Sequence, residues 1–186
     1  MNNLQLKLSG GLFLILLSGI FFDLTAQTDK RIEHIRKLYR ETNEKIAEAN
    51  ENGEYSSVYL TEMVVNKNNG SYPAVGIFQT TYRFYYTYGD REKNPYPNRL
   101  LKIGIETKRS ANIEKYEFLF NEKEQLVFYF EAENTPEKRI YFENELAIKA
   151  MLGDKNLEKN EVVKTSKSVL AEKRKLSLIF QSSLDY

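Results

Sequence analysis

Few side chains in this sequence can do chemistry unaided. Among 186 residues there is one histidine, His34, and no cysteine. A Ser-His-Asp triad or a histidine-rich metal site would have to be assembled around His34, whose neighbours Glu33, Arg36 and Lys37 mark a charged helix surface. The missing cysteines exclude disulfides, thiolate nucleophiles, cysteine-ligated zinc or iron–sulfur centres and acylation at a lipobox cysteine. No glycine-rich phosphate loop and no HExxH motif occurs, and the turn from Asn66 to Gly70 lacks the acidic ligands and closing Glu of a calcium loop. The 26 acidic residues admit a carboxylate pair suited to glycoside hydrolysis, but spacing singles out none. No catalytic residue, metal ligand or cofactor is therefore assigned.

The chemistry that the composition does favour is contact by aromatic rings. There are 13 Tyr and 11 Phe with no Trp, concentrated in Tyr82-Arg83-Phe84-Tyr85-Tyr86-Thr87-Tyr88 and followed by Tyr96 in a proline-containing loop. Strand alternation puts Phe78, Tyr82, Phe84, Tyr86 and Tyr88 on one face, and Arg83, Tyr85 and Thr87 on the other. Two readings follow. In one, the first face packs against a helix and the hydroxyls reach the rim. In the other, the strand end and its loop form a platform that stacks on sugar rings or grips an extended peptide, with Tyr82, Tyr86, Tyr88 and Tyr96 as the ligand-binding residues.

These residues sit in a chain that opens with the layout of an export signal. Lys7 supplies the basic start, Leu12 to Phe22 reads LFLILLSGIFF, and Leu24-Thr25-Ala26 precedes Gln27 with a small residue at the cut. The prediction is a signal peptide over 1–26 and an exported, periplasmic or extracellular domain over 27–186. Read instead as an anchor, the apolar run falls short of the roughly 20 residues that span a bilayer, so no membrane span is expected after signal removal. Lys plus Arg (27) nearly balances Asp plus Glu (26), and the leader removes one of each, Lys7 and Asp23. A balanced charge and an exported location argue against a nucleic-acid partner.

The expected fold is α+β. Ile32, Ile35, Leu38, Tyr39, Ile46 and Ala49 recur at helical spacing, which predicts an amphipathic helix from Thr28 to Asn52 capped by Thr28 or Asp29. The period then changes to two. Strands are predicted over Ser56 to Val65, Val75 to Tyr88, Leu100 to Lys108, Lys115 to Phe120, Leu126 to Glu133, Arg139 to Phe142 and Leu146 to Met151. The tight polar turns between them leave no room for parallel crossovers, so the sheet is an antiparallel, curved meander of about six or seven strands. Leu157, Val162, Val163, Val169, Leu170, Leu176, Ile179 and Phe180 predict a C-terminal helix over about 156–183, whose lysines form a locally basic, solvated face. A half-barrel wrapped around a helix, of cystatin-like or NTF2-like type, fits this order, as do other two-layer sandwiches.

The segment from Tyr116 to Phe128 (YEFLFNEKEQLVF) is partly repeated in Arg139 to Leu146 (RIYFENEL), each an aromatic strand, an acidic turn and a return strand opening with Leu. Together with Ile32 to Tyr39 (IEHIRKLY) just after the leader, this pattern resembles uncharacterised secreted proteins of Bacteroidota-type bacteria. The resemblance implies secretion and carries no activity with it. The function expected is a non-enzymatic binding or interaction module for a glycan or protein. Its alternatives are a secreted hydrolase of polysaccharide or cell-wall material using a carboxylate pair, and a partner protein docking through the C-terminal helix.

Overall fold

A computed structural model describes residues 9–53, 56–110, 112–133 and 136–185, with side chains from Gln27 onward. The predicted signal segment thus lies outside the described side chains. The elements in chain order are α1 (Ser9–Asn52), β1 (Tyr59–Val65), β2 (Ser71–Tyr72), β3 (Gly76–Tyr88), β4 (Pro97–Arg109), β5 (Asn112–Phe120), β6 (Leu126–Ala132), β7 (Lys138–Glu143), β8 (Leu146–Leu152), β9 (Lys155–Asn156) and α2 (Lys159–Ser183). The protein is α+β. The chain divides into two compact units, 1–37 and 38–186, with the division inside α1. In the first unit α1 runs without a break from Ser9, so the helix does not begin at a Thr28 or Asp29 cap. No proline stands between Ser9 and Asn52 to interrupt the backbone hydrogen bonds. His34 is an exposed residue of this helix.

The second unit is an open antiparallel sheet of nine strands, in the order β1-β3-β4-β5-β6-β7-β8-β9 with β2 paired to the start of β3. The seven predicted strands are all present. β2 and β9 add two residues each, too short to leave a period in the sequence. β9 also moves the helix start from Asn156 to Lys159, because Gly153 at φ +58° turns Lys155 and Asn156 back onto Leu152 and Met151. Between β7 and β8 the two-residue turn Asn144-Glu145 has φ of 49° and 61°, the left-handed pair that a tight hairpin demands.

Alternation assigns each strand residue to one of two faces, and each face has its own helix. On one, Phe84, Ile103, Phe118, Leu126, Tyr129, Ile140 and Phe142 form a buried core with Val169, Leu176 and Phe180 of α2. On the other, the Tyr39 ring meets Phe128 at 5.3 Å, and Phe128 packs on Tyr141 at 5.1 Å. The sheet therefore lies between α2 and the Leu38–Asn52 stretch of α1, a three-layer arrangement rather than a sheet wrapped around a single helix. The buried stripe of α2 follows Ser166, Val169, Leu176 and Phe180, whereas Val163 and Ile179 of the predicted stripe are exposed. A helical turn of 3.6 residues rotates those two away from the line joining 162, 169, 176 and 180.

The α1 face carries the most heavily buried charge of the second unit. The Lys102 ammonium lies 2.8 Å from Glu117 Oε1, donates to Asn43 Oδ1 at 2.8 Å and stands 5.0 Å from the Tyr39 ring centre. Tyr39 donates its hydroxyl to Glu117 Oε2 at 2.6 Å. The two ion-paired side chains are only 8% and 25% exposed, so their attraction is far less screened than that of a surface pair. Burial, with the Glu117 carboxylate accepting its proton, pushes the Tyr39 phenol up to about 12.

Burial also raises Tyr82, Tyr85, Tyr116 and Tyr129, the last helped by its hydrogen bond to Glu131. A phenol raised in the folded state keeps its stabilising contribution below pH 10 and loses it as pH climbs through the folded value. The protein is expected to hold a constant melting temperature from pH 7 to 9 and to lose stability steeply above pH 10. Thermal melts read by circular dichroism check this, and Tyr39→Phe should flatten the part of the slope between pH 10 and 12.

Candidate functional site

The site is built from three segments that are distant in sequence. β3 ends in Tyr86 and Tyr88, the chain loops out through residues 89–96, and β4 returns along it from Pro97. The return is not in simple register: shifts fall between Tyr85 and Tyr86 and again between Thr87 and Tyr88, where Leu101 and Asn98 of β4 are the extra residues. Such bulges bend and twist a strand pair and open its end. Asp90 ties the loop by accepting from the Glu92 N–H at 3.1 Å and pairing with Lys93 at 2.8 Å, and this pairing holds its carboxyl below the usual range. Asn94 Oδ1 accepts from the Tyr96 N–H at 2.9 Å. Tyr96 itself is 73% exposed, a large ring with its faces in water.

Opposite the loop, the last two turns of α2 pass over the sheet. Phe180 anchors them, its ring 5.1 Å from Tyr86 and 5.7 Å from Phe84. Between the helix and the loop lies a cavity of about 840 Å³. Tyr86, Leu100, Phe180 and Leu184 make its apolar floor, and Asn94, Asn98, Ser177 and Gln181 place amides and a hydroxyl around it, with Tyr96 and Pro97 from the loop. Lys173, Glu124 and Asp185 contribute charge. Lys173 is already paired with Glu145 at 2.9 Å. Glu124 Oε1 accepts the Leu100 N–H at 3.3 Å, and the Glu124 backbone sits at φ +57°, a left-handed position fixed by Asn121, whose Oδ1 accepts from the Lys123 and Gln125 N–H groups. The carboxylate is thus held in place by the turn between β5 and β6.

The four tyrosines singled out from the sequence do not form one site. Tyr86 and Tyr96 line the same cavity, but in different ways: Tyr86 is 7% exposed and belongs to the core, while Tyr96 projects from the loop. Tyr88 packs edge-on to Tyr59 of β1 at 5.8 Å and carries the Arg91 guanidinium 4.1 Å above its ring. Tyr82 lines a second, smaller cavity of about 360 Å³ farther along α2, with Thr80, Thr107, Tyr116, Tyr129 and Glu172 among its walls. The core reading of the aromatic strand therefore describes Phe84 and Tyr86, whereas Tyr96 stands exposed on the loop.

Sequence reasoning missed Asn98, Glu124, Gln181 and Asp185. No local signal marks them, since amides and acids at these positions read as ordinary surface until α2 is laid beside the loop. Among the described residues no three His, Asp or Glu side chains converge as metal ligands would, nor is any helix long and apolar enough to cross a membrane. No family model, no curated protein and no solved structure matches this chain.

Proposed function

We propose that the chain is an exported, non-catalytic binding module that holds a short, uncharged glycan between α2 and the 89–96 loop with the start of β4. Export is inferred from the leader over 1–26. The observation that carries the ligand class is the pairing of an open Tyr96 ring with a cavity edged by Asn94, Asn98, Ser177 and Gln181. Sugars present one apolar C–H face and a rim of hydroxyls. A Tyr ring offers area with little rotamer entropy to lose, and neutral amides both donate to and accept from hydroxyls. At about 840 Å³ the cavity is in the range that takes small organic ligands, and too small for a folded partner.

Because Glu124 and Asp185 line this same cavity, hydrolysis is the second reading. A thermal-shift panel of neutral di-, tri- and tetrasaccharides, with charged sugars and peptides as comparison, tests the proposal. A ligand at 100 times its dissociation constant adds about 2.7 kcal/mol, which for a chain of this size raises the melting temperature by roughly 5–10 °C. A rise with an intact saccharide is the expected result. A rise accompanied by released product assigns hydrolysis instead, and a rise with peptides alone overturns the glycan assignment.

A further inference from the structure

We propose that β1 is a self-pairing edge through which two copies of this chain join antiparallel, with Glu62 at the two-fold axis, into one continuous sheet. The sheet ends at β1, whose ladder partner among the described residues is β3 alone, in an unbroken register from Tyr59 with Tyr86 to Val65 with Thr80. The opposite end of the sheet is closed by a strand of two residues, β9. Exposed edges are normally guarded by lysine, proline, a bulge or extreme shortness, because an unpaired row of N–H and C=O groups templates another strand. β1 has no lysine, proline or bulge, and the one charge it carries, Glu62, is paired with Arg83 of β3. β1 reads YLTEMVV over seven residues and leaves Tyr59, Leu60 and Val65 between 36% and 46% exposed.

The strand's own residue pattern selects a second copy of β1 as the occupant. Pairing two copies about Glu62 sets Tyr59 against Val65, Leu60 against Val64 and Thr61 against Met63, so the outer pairs are apolar on both faces. Centring instead on Thr61 puts Glu62 opposite Leu60, and centring on Met63 puts it opposite Val64, each of which desolvates a carboxylate against an aliphatic side chain. The register about Glu62 brings two carboxylates together, an arrangement that is unfavourable when they are bare. Here each is bound by Arg83 of the adjacent β3, Nε to Oε2 at 2.9 Å, so the row across the junction is Arg83, Glu62, Glu62, Arg83 with no net charge. One strand adds little area, so the dimer is a weak one.

The absence of cysteine makes the register directly readable. With the chain expressed in full and purified as the cell leaves it, Glu62→Cys places two thiols directly opposite, where Cβ atoms of facing strand residues are about 4.5–5.5 Å apart. Mild oxidation should convert it to a covalent dimer. Leu60→Cys should stay monomeric, because its counterpart in the partner is displaced by four residues, about 14 Å along the strand. An equimolar mixture of Leu60→Cys and Val64→Cys should cross-link. Sedimentation of the unmodified chain should show a monomer–dimer equilibrium that Arg83→Gln weakens several-fold by leaving the two Glu62 carboxylates bare and opposed. A chain that sediments as a monomer at every concentration overturns the proposal. So does self-cross-linking of Leu60→Cys equal to that of Glu62→Cys, or stoichiometric occupation of this edge by a different protein.

Discussion

Replacement of Lys102 by alanine is expected to lower the melting temperature by roughly 6–20 °C, the largest effect of any single surface-to-core charge change in this protein. The ammonium is fixed by Glu117, Asn43 and the Tyr39 ring, with its side chain 8% exposed. Its removal leaves the Glu117 carboxylate without a counter-ion in a largely dry environment, a situation that costs about 3–5 kcal/mol. The penalty belongs to the orphaned charge rather than to the pair. Lys102→Met combined with Glu117→Gln should therefore recover more than half of the loss, since the Tyr39 hydroxyl can still donate to the glutamine oxygen. Urea or thermal unfolding of Lys102→Met, Glu117→Gln and the double variant closes the cycle. A loss below about 1 kcal/mol for Lys102→Ala would place the pair with the screened surface bridges and contradict its buried description.

Phe180→Ala should destabilise the fold by about 3–5 kcal/mol, the usual cost of emptying a buried phenylalanine site. The ring is 3% exposed and stacks against Phe84 and Tyr86. These two rings belong to β3, which is paired on both sides by β1 and β4, and cannot collapse into the space. Phe180 also holds the last turns of α2 over the cavity, so the same change should weaken any ligand bound there. Tyr96→Ala provides the contrast. Its exposed ring touches little of the core, and the substitution should alter stability by less than about 0.5 kcal/mol. The two variants separate folding from recognition by unfolding and ligand titration on the same samples.

Much of the scaffold was legible because period is a local property. The alternation through Tyr82, Phe84 and Tyr86 put these rings on one helix-packed face of β3, and the core cluster contains both Phe84 and Tyr86 together with Val169, Leu176 and Phe180 of α2. Turn residues between Phe120 and Leu126 and between Glu143 and Leu146 marked hairpins even without glycine. Here asparagine takes up the demand in two ways: Asn121 caps its turn with its side chain, and Asn144 tolerates a left-handed backbone. What stayed hidden depends on how elements dock. Nothing in the order of residues states that α1 and α2 take opposite faces, and an apolar stripe containing Val163 and Ile179 looks as good as the real one until the contacts choose. Charge behaves in the same way. Lys102 and Glu117 read as an ordinary polar pair of strand positions, and only the arrival of Tyr39 and Asn43 buries them.

The candidate site was legible in its aromatic part and hidden in its polar part. Tyr96 stood out because it lies next to prolines in a loop, where a large ring has no core to fill. Asn98, Glu124 and Gln181 come from β4, a hairpin turn and the end of α2, and their meeting is a consequence of the bulged end of β4 together with the Phe180 anchor.

Isothermal titration of the unmodified chain and of Tyr96→Ala with the oligosaccharide that gives the greatest thermal stabilisation tests the binding claim most directly. One site per chain is expected, with the Tyr96→Ala dissociation constant at least tenfold weaker, a change of about 1.4 kcal/mol, at an unchanged melting temperature of the free protein. Equal affinities in the two proteins would contradict the binding claim and move recognition away from the cavity beside α2.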